Sequence, residues 1–188
     1  MCFVDESGQS LRPPKGRTWT RRGQTPIVTV SGKGSGRVSV AGLVCIKPGR
    51  RTRLIYRTIT YHGRKNEQKG FGVRDFKLLL QAAHQQLRGP LVIVWDNLPA
   101  HVCAEMGTFI DEHDWLTVFR LPGYAPELNP TEGIWANLKK HLANLAVRGG
   151  VDHLAAVIKH HLKRLQYRPD LLDAIIAQTK LILEPEPP

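Results

Sequence analysis

The sequence has little cysteine and no long apolar run. Its three cysteines, Cys2, Cys45 and Cys103, are far apart and form no C-x-x-C pair, which argues against both a disulfide framework and a zinc knuckle. No uninterrupted apolar stretch approaches the ~20 residues that a membrane helix needs. The first residues include neither a basic leader nor a long apolar segment, so we expect a cytoplasmic protein without a membrane partner.

Several motifs of other protein classes are also absent. The glycine-rich stretch 32–36 lacks the G-x-x-x-x-G-K-[ST] spacing of a phosphate-binding loop, which argues against an NTPase. Three histidines, His153, His160 and His161, fall on one predicted helix, but no H-E-x-x-H arrangement accompanies them. No internal repeat has a fixed period. We therefore expect residues 1–183 to form one domain and residues 184–188 to be a disordered tail.

Basic residues dominate the charge, and they are concentrated in the first half of the chain. The sequence has 27 Lys and Arg against 16 Asp and Glu, a net charge of +11. Residues 1–90 alone contain 18 of these cations and four acids, a net charge of +14. A basic surface can serve solubility alone, but such an asymmetry favours contact with phosphate groups.

Hydrophobic periodicity predicts an α/β fold. A short apolar start at residues 2–5 precedes a predicted hairpin, in which residues 27–30 and 38–44 flank the glycine-rich stretch. The remaining predicted elements are a strand at 53–59, a helix at 71–87, a buried strand at 91–95, a helix at 102–113, a strand at 116–121, and helices from 130, at 151–166 and at 169–181.

This order predicts a mixed sheet flanked by helices, with the first three strands antiparallel and the later strands parallel. It fits an RNase H-like fold. Several other mixed α/β folds have the same order, so the chemistry of the side chains must narrow the choice.

Three acidic residues fall where a sheet of this kind collects functional groups. Asp5 lies on the first strand, Asp96 ends the apolar strand, and Glu132 lies in the first turn of a helix. Phosphodiester cleavage uses carboxylates of this kind to bind two divalent metals, which stabilise the attacking and leaving oxygens. Oxygen ligands suit Mg²⁺ and Mn²⁺.

Each acid also has a structural interpretation. Asp96 could form a turn after its strand. Glu132 could close a capping box with Asn129, because Pro130 fits the first position of the helix. Asp5 is followed by Glu6, and strand alternation points only one of the two toward a given face. The residues alone leave these alternatives open.

Four segments together resemble the catalytic domain of mariner-related bacterial insertion-sequence transposases. Their order and spacing match the family across roughly residues 3–180. The most specific segment is the last, a dense block that contains Glu132. The segments are Phe3–Gly8 (FVDESG), Arg17–Pro26 (RTWTRRGQTP), Val94–His101 (VWDNLPAH) and Leu121–Trp135 (LPGYAPELNPTEGIW).

The resemblance implies an RNase H-like fold with a D-D-E triad that maps onto Asp5, Asp96 and Glu132. In that family the acids bind two Mg²⁺ ions, with Mn²⁺ as a substitute. A metal-bound water hydrolyses one DNA strand at the element's end, and the freed 3′-hydroxyl then attacks target DNA. The implied function is thus that of a metal-dependent DNA endonuclease and transposase in the bacterial nucleoid.

The chain departs from the family in one respect, because relatives precede the catalytic domain with a helix-turn-helix region that recognises the element ends. Either a separate helix-turn-helix polypeptide supplies this recognition, or the chain is a truncated remnant. The expected partners are DNA at element ends and targets, and a second copy of the chain in a homodimer on DNA. The alternatives are a catalytically silent DNA-binding module that regulates transposition, and a nuclease of RNA–DNA hybrids.

Two further residues have open roles. Trp19 lies among basic residues in a predicted hairpin, where it could stack on an unpaired base or anchor the packing. His101 follows Asp96 by five residues and could support that acid, act as a general acid or base, or simply start a helix.

Overall fold

The computed structural model describes residues 1–30 and 34–181. The strands are β1 (Cys2–Ser10), β2 (Arg37–Cys45), β3 (Arg53–Tyr61), β4 (Leu91–Trp95) and β5 (Leu116–Arg120). The helices are α1 (Val73–Leu87), α2 (Pro99–Val102), α3 (Ala104–Asp111), α4 (Pro130–Leu142), α5 (Gly150–Gln166) and α6 (Pro169–Ala177). The expected tail at 184–188 lies outside the described residues.

The five strands form one mixed sheet in the order β3-β2-β1-β4-β5. β1, β2 and β3 pair antiparallel, whereas β4 pairs parallel with both β1 and β5. This arrangement is the predicted RNase H-like sheet. The parallel pairing of β1 with β4 brings the residues that follow β4 to the middle of β1.

Side-chain alternation along β2 divides the core into two layers. Val38, Val40 and Val44 face helices α4, α5 and α6. Leu43 and Cys45 face helices α1 and α3 on the other side of the sheet. The sheet is thus covered on both faces, as its continuously apolar strand β4 requires.

β1 is longer than its short apolar start predicts. Residues 6–10 are mostly polar, yet they pair with β2 in unbroken register from Glu6↔Ala41 to Ser10↔Arg37. Backbone pairing with a neighbouring strand therefore maintains this half of β1 without an apolar pattern. Asp5 consequently lies in the middle of a nine-residue strand and not at its end.

The predicted hairpin of residues 27–30 with residues 38–44 is wrong. Residues 27–30 form no strand, and Ile27 is 93% exposed. Both edges of β2 are already taken by β1 and β3, so no edge remains for a further strand. Part of the glycine-rich tip, residues 31–33, lies outside the described residues.

The basic segment around Trp19 also forms no hairpin. Residues 13–20 have no regular structure, and the Trp19 side chain is 99% exposed. The alternative of a packing anchor is therefore wrong, whereas base stacking by Trp19 stays a prediction. The segment is attached to the body at Gly16, whose backbone N–H and C=O both hydrogen-bond the Asn144 side chain at 3.0 Å.

None of the helices in the described ranges combines the length and the apolar character that a bilayer crossing demands.

Candidate active site

The three acids singled out by the sequence line one cavity of about 450 Å³. Asp5 comes from the central strand, Asp96 directly follows β4, and Glu132 is the third residue of α4. The rest of the wall comes from the loops after β4 and β5, at residues 97–99 and 121–126, and from Asn129. The cavity lies beyond the carboxyl ends of the parallel strands, where open α/β sheets place their ligands.

The two acids of β1 have different surroundings. Asp5 lines the cavity and is only 9% exposed, whereas Glu6 does not line it. Burial raises the pKa of Glu6, Arg37 opposes that rise, and Asp96 adds to it. The structure thus places Asp5, and not Glu6, on the wall of the cavity that Asp96 and Glu132 also line.

Asp5 has an unusual titration. Its pKa is raised to about 7, mainly by burial and then by repulsion from Glu132 and, more weakly, from Asp96. Hydrogen bonds from the Glu6 backbone and from Trp135 oppose this rise. Glu132 and Asp96 are therefore close enough to Asp5 to disfavour its charged form, which is a disadvantage that a bound cation would remove.

Helix α4 is attached to β1 through its first residues. The Asn129 side chain caps the helix by accepting from the Thr131 N–H at 3.1 Å, and its amide donates to the Val4 carbonyl at 3.0 Å. The Thr131 hydroxyl donates to the Phe3 carbonyl at 2.9 Å. These buried bonds fix the first turn of α4, and with it Glu132, against the strand that presents Asp5.

The capping-box alternative for Glu132 does not hold. In a capping box the Glu132 carboxylate would accept a hydrogen bond from the Asn129 backbone N–H. That N–H donates instead to the Pro126 carbonyl at 3.0 Å. A short 3₁₀ turn, Pro126–Leu128, provides that carbonyl. The carboxylate of Glu132 is thus left on the cavity wall.

Trp135 connects the same helix to Asp5. Its indole Nε1–H donates to Asp5 Oδ2 at 2.8 Å, and its ring lies against Gly42 of β2. A Cβ at Gly42 would come within 3.0 Å of the ring, so a larger residue there would displace the indole. Since Gly42 pairs with Asp5 in register, the ring reaches the carboxylate across the strand pair.

Asp96 forms a turn and also faces the cavity. Its Oδ1 accepts from the Leu98 N–H at 3.2 Å and from His101 Nδ1 at 2.9 Å. Both the turn-forming and the site interpretations of Asp96 are therefore compatible with the structure. With Oδ1 occupied, its other oxygen remains for the cavity, and the side chain is 45% exposed.

His101 is buried and stacks on Trp95, with ring centroids 4.1 Å apart and an angle of 2° between the planes. Burial lowers its pKa, and the nearby Asp96 opposes this shift. Because a carboxylate only accepts, Nδ1 must carry the proton of the neutral ring. His101 lies in α2 and also orients Asp96. Support of the acid and a place at the start of a helix are therefore compatible roles.

The acids that line the cavity are not arranged as a complete metal-binding site. Across residues 1–30 and 34–181, no group of three His, Cys, Asp or Glu side chains is arranged to hold a metal ion. The donor set nevertheless fits Mg²⁺ chemically, because all three groups are hard oxygen ligands and Asp5 is destabilised in its charged form.

Sequence reasoning missed three contributors to this site. Local patterns predict only a helix cap for Asn129, and they predict no role in the site for Thr131 and Trp135. The signal lay in the dense block 121–135, where polar groups adjoin Glu132 at the start of the helix. Their partners on β1 are backbone carbonyls and Asp5, which no local pattern identifies.

Comparison with known proteins identifies the family of the chain and agrees with its fold. A family model for the DDE superfamily endonuclease matches residues 1–149, a range that includes all three acids, and the chain belongs to that family. No curated protein matches the chain.

Solved structures of Mos1 transposase are similar in fold. The Mos1 paired-end complex with left transposon end is 13% identical, with a TM-score of 0.63, and the match covers 97% of this chain and 56% of that one. The Mos1 mariner paired-end complex with Mn is 14% identical, with the same coverage and TM-score. The catalytic domain of Mos1 mariner transposase is 14% identical, with a TM-score of 0.54, and the match covers 97% and 83% of the two chains.

These comparisons confirm the predicted RNase H-like fold, and the family model shows that the chain is a DDE superfamily endonuclease. The chain spans just over half the length of the Mos1 chain in the paired-end complexes.

Proposed function

We propose that this chain is the catalytic domain of a transposase, which cuts DNA at the ends of a bacterial insertion sequence and transfers the freed 3′-hydroxyl to target DNA. The observation that carries the proposal is the single cavity lined by Asp5, Asp96 and Glu132 in a member of the DDE superfamily endonuclease family. The similar Mos1 structures include complexes with a transposon end, Mg and Mn, which supports DNA and a divalent metal as ligands.

In this proposal the three carboxylates hold two Mg²⁺ or Mn²⁺ ions. The metals would stabilise negative charge on the attacking and leaving oxygens of the phosphodiester. Asp5 would contribute its carboxylate from the central strand, Asp96 from the end of β4, and Glu132 from the first turn of α4.

The chain's own residues orient these ligands. Trp135 holds one oxygen of Asp5 by a hydrogen bond, and His101 with the Leu98 N–H holds one oxygen of Asp96. Asn129 fixes the helix that carries Glu132. The three acids are thereby held on the wall of one cavity, which is the kind of positioning that phosphoryl transfer requires.

The proposed setting is the bacterial nucleoid, with a homodimer acting on DNA. A separate helix-turn-helix polypeptide would recognise the element ends. The similar Mos1 complexes are paired-end complexes, which supports an assembly that holds two DNA ends.

A nicking assay on supercoiled plasmid tests the catalytic proposal. Purified protein with Mg²⁺ or Mn²⁺ should produce open circles, and Asp96→Asn should abolish this product while DNA binding persists. Asp111→Asn is the matched control, because Asp111 is an exposed acid at the end of α3, away from the cavity. Equal nicking by the Asp96 and Asp111 variants would contradict the mechanism.

A catalytically silent DNA-binding module is the second candidate. The absence of a three-ligand metal arrangement in the described residues favours it. This candidate predicts DNA binding by the wild-type protein without nicking at any metal concentration. The same assay therefore separates the two functions.

A further inference from the structure

A second surface feature lies outside the carboxylate cavity. It is a groove of about 360 Å³ between the edge strand β3 and helix α5, which we name the β3–α5 groove. The groove contains three permanent cations, a histidine and two hydroxyl groups, and no acid. Its lining residues are Tyr56, Arg57, Thr58, Lys159, His160 and Lys163.

The two walls of the groove are firmly joined. The Tyr56 hydroxyl donates to the Lys159 carbonyl at 3.2 Å, and Gln166 Nε2 donates to the Leu54 carbonyl at 2.8 Å. Beneath these bonds, Ile158 and Leu162 of α5 are entirely buried against the sheet. The cations thus project from a fixed framework, so binding a ligand there orders little of the backbone.

The positive charges of the groove are not neutralised within the described part of the chain. Arg57, Lys159 and Lys163 are exposed and take part in none of its ion pairs, which involve His62, Lys77, His101 and Arg168. Lys159 and Lys163 are four residues apart on α5, a spacing at which like charges repel and weaken a helix. An anionic ligand would turn this repulsion into attraction.

The fold adds neutral donors to this positive surface. β3 is the outermost strand on its side of the described sheet, so alternate backbone N–H groups along it point away from β2. Cationic side chains, a hydroxyl such as that of Thr58 and backbone N–H groups are donors that proteins use toward phosphate oxygens of DNA, whereas the Tyr56 hydroxyl already donates within the protein.

We propose that the β3–α5 groove binds the phosphodiester backbone of duplex DNA, at a position separate from the carboxylate cavity. Register places Tyr56 opposite Gly42, and Gly42 opposite Asp5, so the groove begins two strands from Asp5, or roughly 10 Å across the sheet. This inference rests on the proposed function, since it assigns part of the DNA contact to a surface that performs no chemistry.

The test measures binding to a fluorescent 30-base-pair duplex in EDTA, over a series of salt concentrations. The groove variant combines Arg57→Ala, Lys159→Ala and Lys163→Ala. The control variant combines Lys47→Ala, Lys65→Ala and Arg74→Ala, three exposed cations outside the groove, and so removes the same charge. A third variant, Arg57→Lys with Lys159→Arg and Lys163→Arg, retains the charge and reports whether the groove tolerates substitution.

We expect the groove variant to bind at least tenfold more weakly at 0.1 M salt, while the control changes less than threefold. Each lost phosphate contact should reduce the slope of log K against log salt by about 0.9. A loss of two to three contacts is therefore visible in the slope, and the charge-retaining variant should bind like the wild type.

Equal affinities and salt slopes for the groove and control variants would overturn the inference. If the wild-type protein still nicks DNA in that case, the proposed catalytic function stands. Conversely, a wild-type protein that never nicks DNA, but loses binding only in the groove variant, would contradict the catalytic function and support the groove. A groove variant with an unchanged melting temperature excludes misfolding as the cause of weaker binding.

Discussion

The indole of Trp135 donates a hydrogen bond of 2.8 Å to Asp5, and it thereby joins the first turns of α4 to the central strand of the sheet. The bond opposes the rise in the pKa of Asp5 that burial and Glu132 cause. It also occupies Oδ2 of Asp5.

Trp135→Phe should therefore raise the pKa of Asp5 above its value of about 7. If nicking requires ionised Asp5, the acidic limb of its pH profile should move to higher pH. Loss of a hydrogen bond to a charged group should also cost about 1.5–3 kcal/mol of unfolding free energy above pH 8. Trp95→Phe is the matched control, because the Trp95 Nε1 is buried and has no hydrogen-bond partner among the described residues. An unchanged pH profile in Trp135→Phe would contradict the role of this bond.

Asp5→Asn should stabilise the protein at high pH. The folded protein holds the Asp5 proton more tightly than the unfolded chain, so this group favours folding below about pH 4 and loses that contribution as pH rises toward 7. At pH 8 the variant should gain stability on the order of 4 kcal/mol, and almost none at pH 4. Urea unfolding at both pH values measures the difference. A gain that is independent of pH would contradict the raised pKa.

Magnesium should stabilise the wild-type protein more than it stabilises Asp5→Asn. If Asp5 is a metal ligand, Mg²⁺ at pH 8 should raise the melting temperature of the wild type, because a ligand that binds only the folded state stabilises it. Asp5→Asn should show a much smaller rise. Calcium, which also prefers oxygen ligands, provides a comparison that does not depend on catalysis. Equal shifts in both proteins would place the metal elsewhere.

Asn129 offers a way to separate the cap of α4 from its attachment to β1. Asn129→Asp keeps an oxygen for the Thr131 N–H but loses the donation to the Val4 carbonyl. Asn129→Ala loses both, and should cost about 2–4 kcal/mol in unfolding free energy. We expect both variants to nick slowly, and Asn129→Asp to retain more helix stability than Asn129→Ala. Wild-type nicking by Asn129→Asp would show that the bond from Asn129 to the Val4 carbonyl is not needed to position Glu132.

His101→Phe should reduce nicking without unfolding the protein. Phenylalanine can retain the stacking on Trp95, but it removes the Nδ1–H that orients Asp96. It also removes the buried Nε2, which has no partner within the described residues, so the cost in stability should stay below about 1.5 kcal/mol. Single-turnover nicking and thermal unfolding measure the two effects. A large loss of stability with normal nicking would assign His101 to packing alone.

Much of the fold could be predicted from local patterns. The apolar run 91–95 became β4 without change, and Asn129-Pro130 marked the start of α4 because a side-chain cap and a proline are both favoured there. The strand prediction for residues 27–30 was wrong because strand propensity does not reveal whether a neighbouring strand has a free edge. The polar half of β1 was missed for the converse reason, since its stability comes from β2.

The candidate site was harder to predict from the sequence than the fold. The positions of Asp5, Asp96 and Glu132 could be inferred from the ends of elements and from the family resemblance. The side chains that hold them in place, Thr131 and Trp135, act through partners about 130 residues away in sequence. Such contacts depend on the packing of α4 on the sheet, which periodicity does not reveal.

The attachment of α4 to β1 uses the carbonyls of Phe3 and Val4 and not their side chains. Every amino acid carries that carbonyl, so substitutions at these two positions leave the acceptors of the attachment in place. The apolar layers under the sheet can therefore diverge or be redesigned while the two acids on α4 and β1 keep their separation. This tolerance makes the domain a suitable starting point for engineering a more stable core around an unaltered reaction centre.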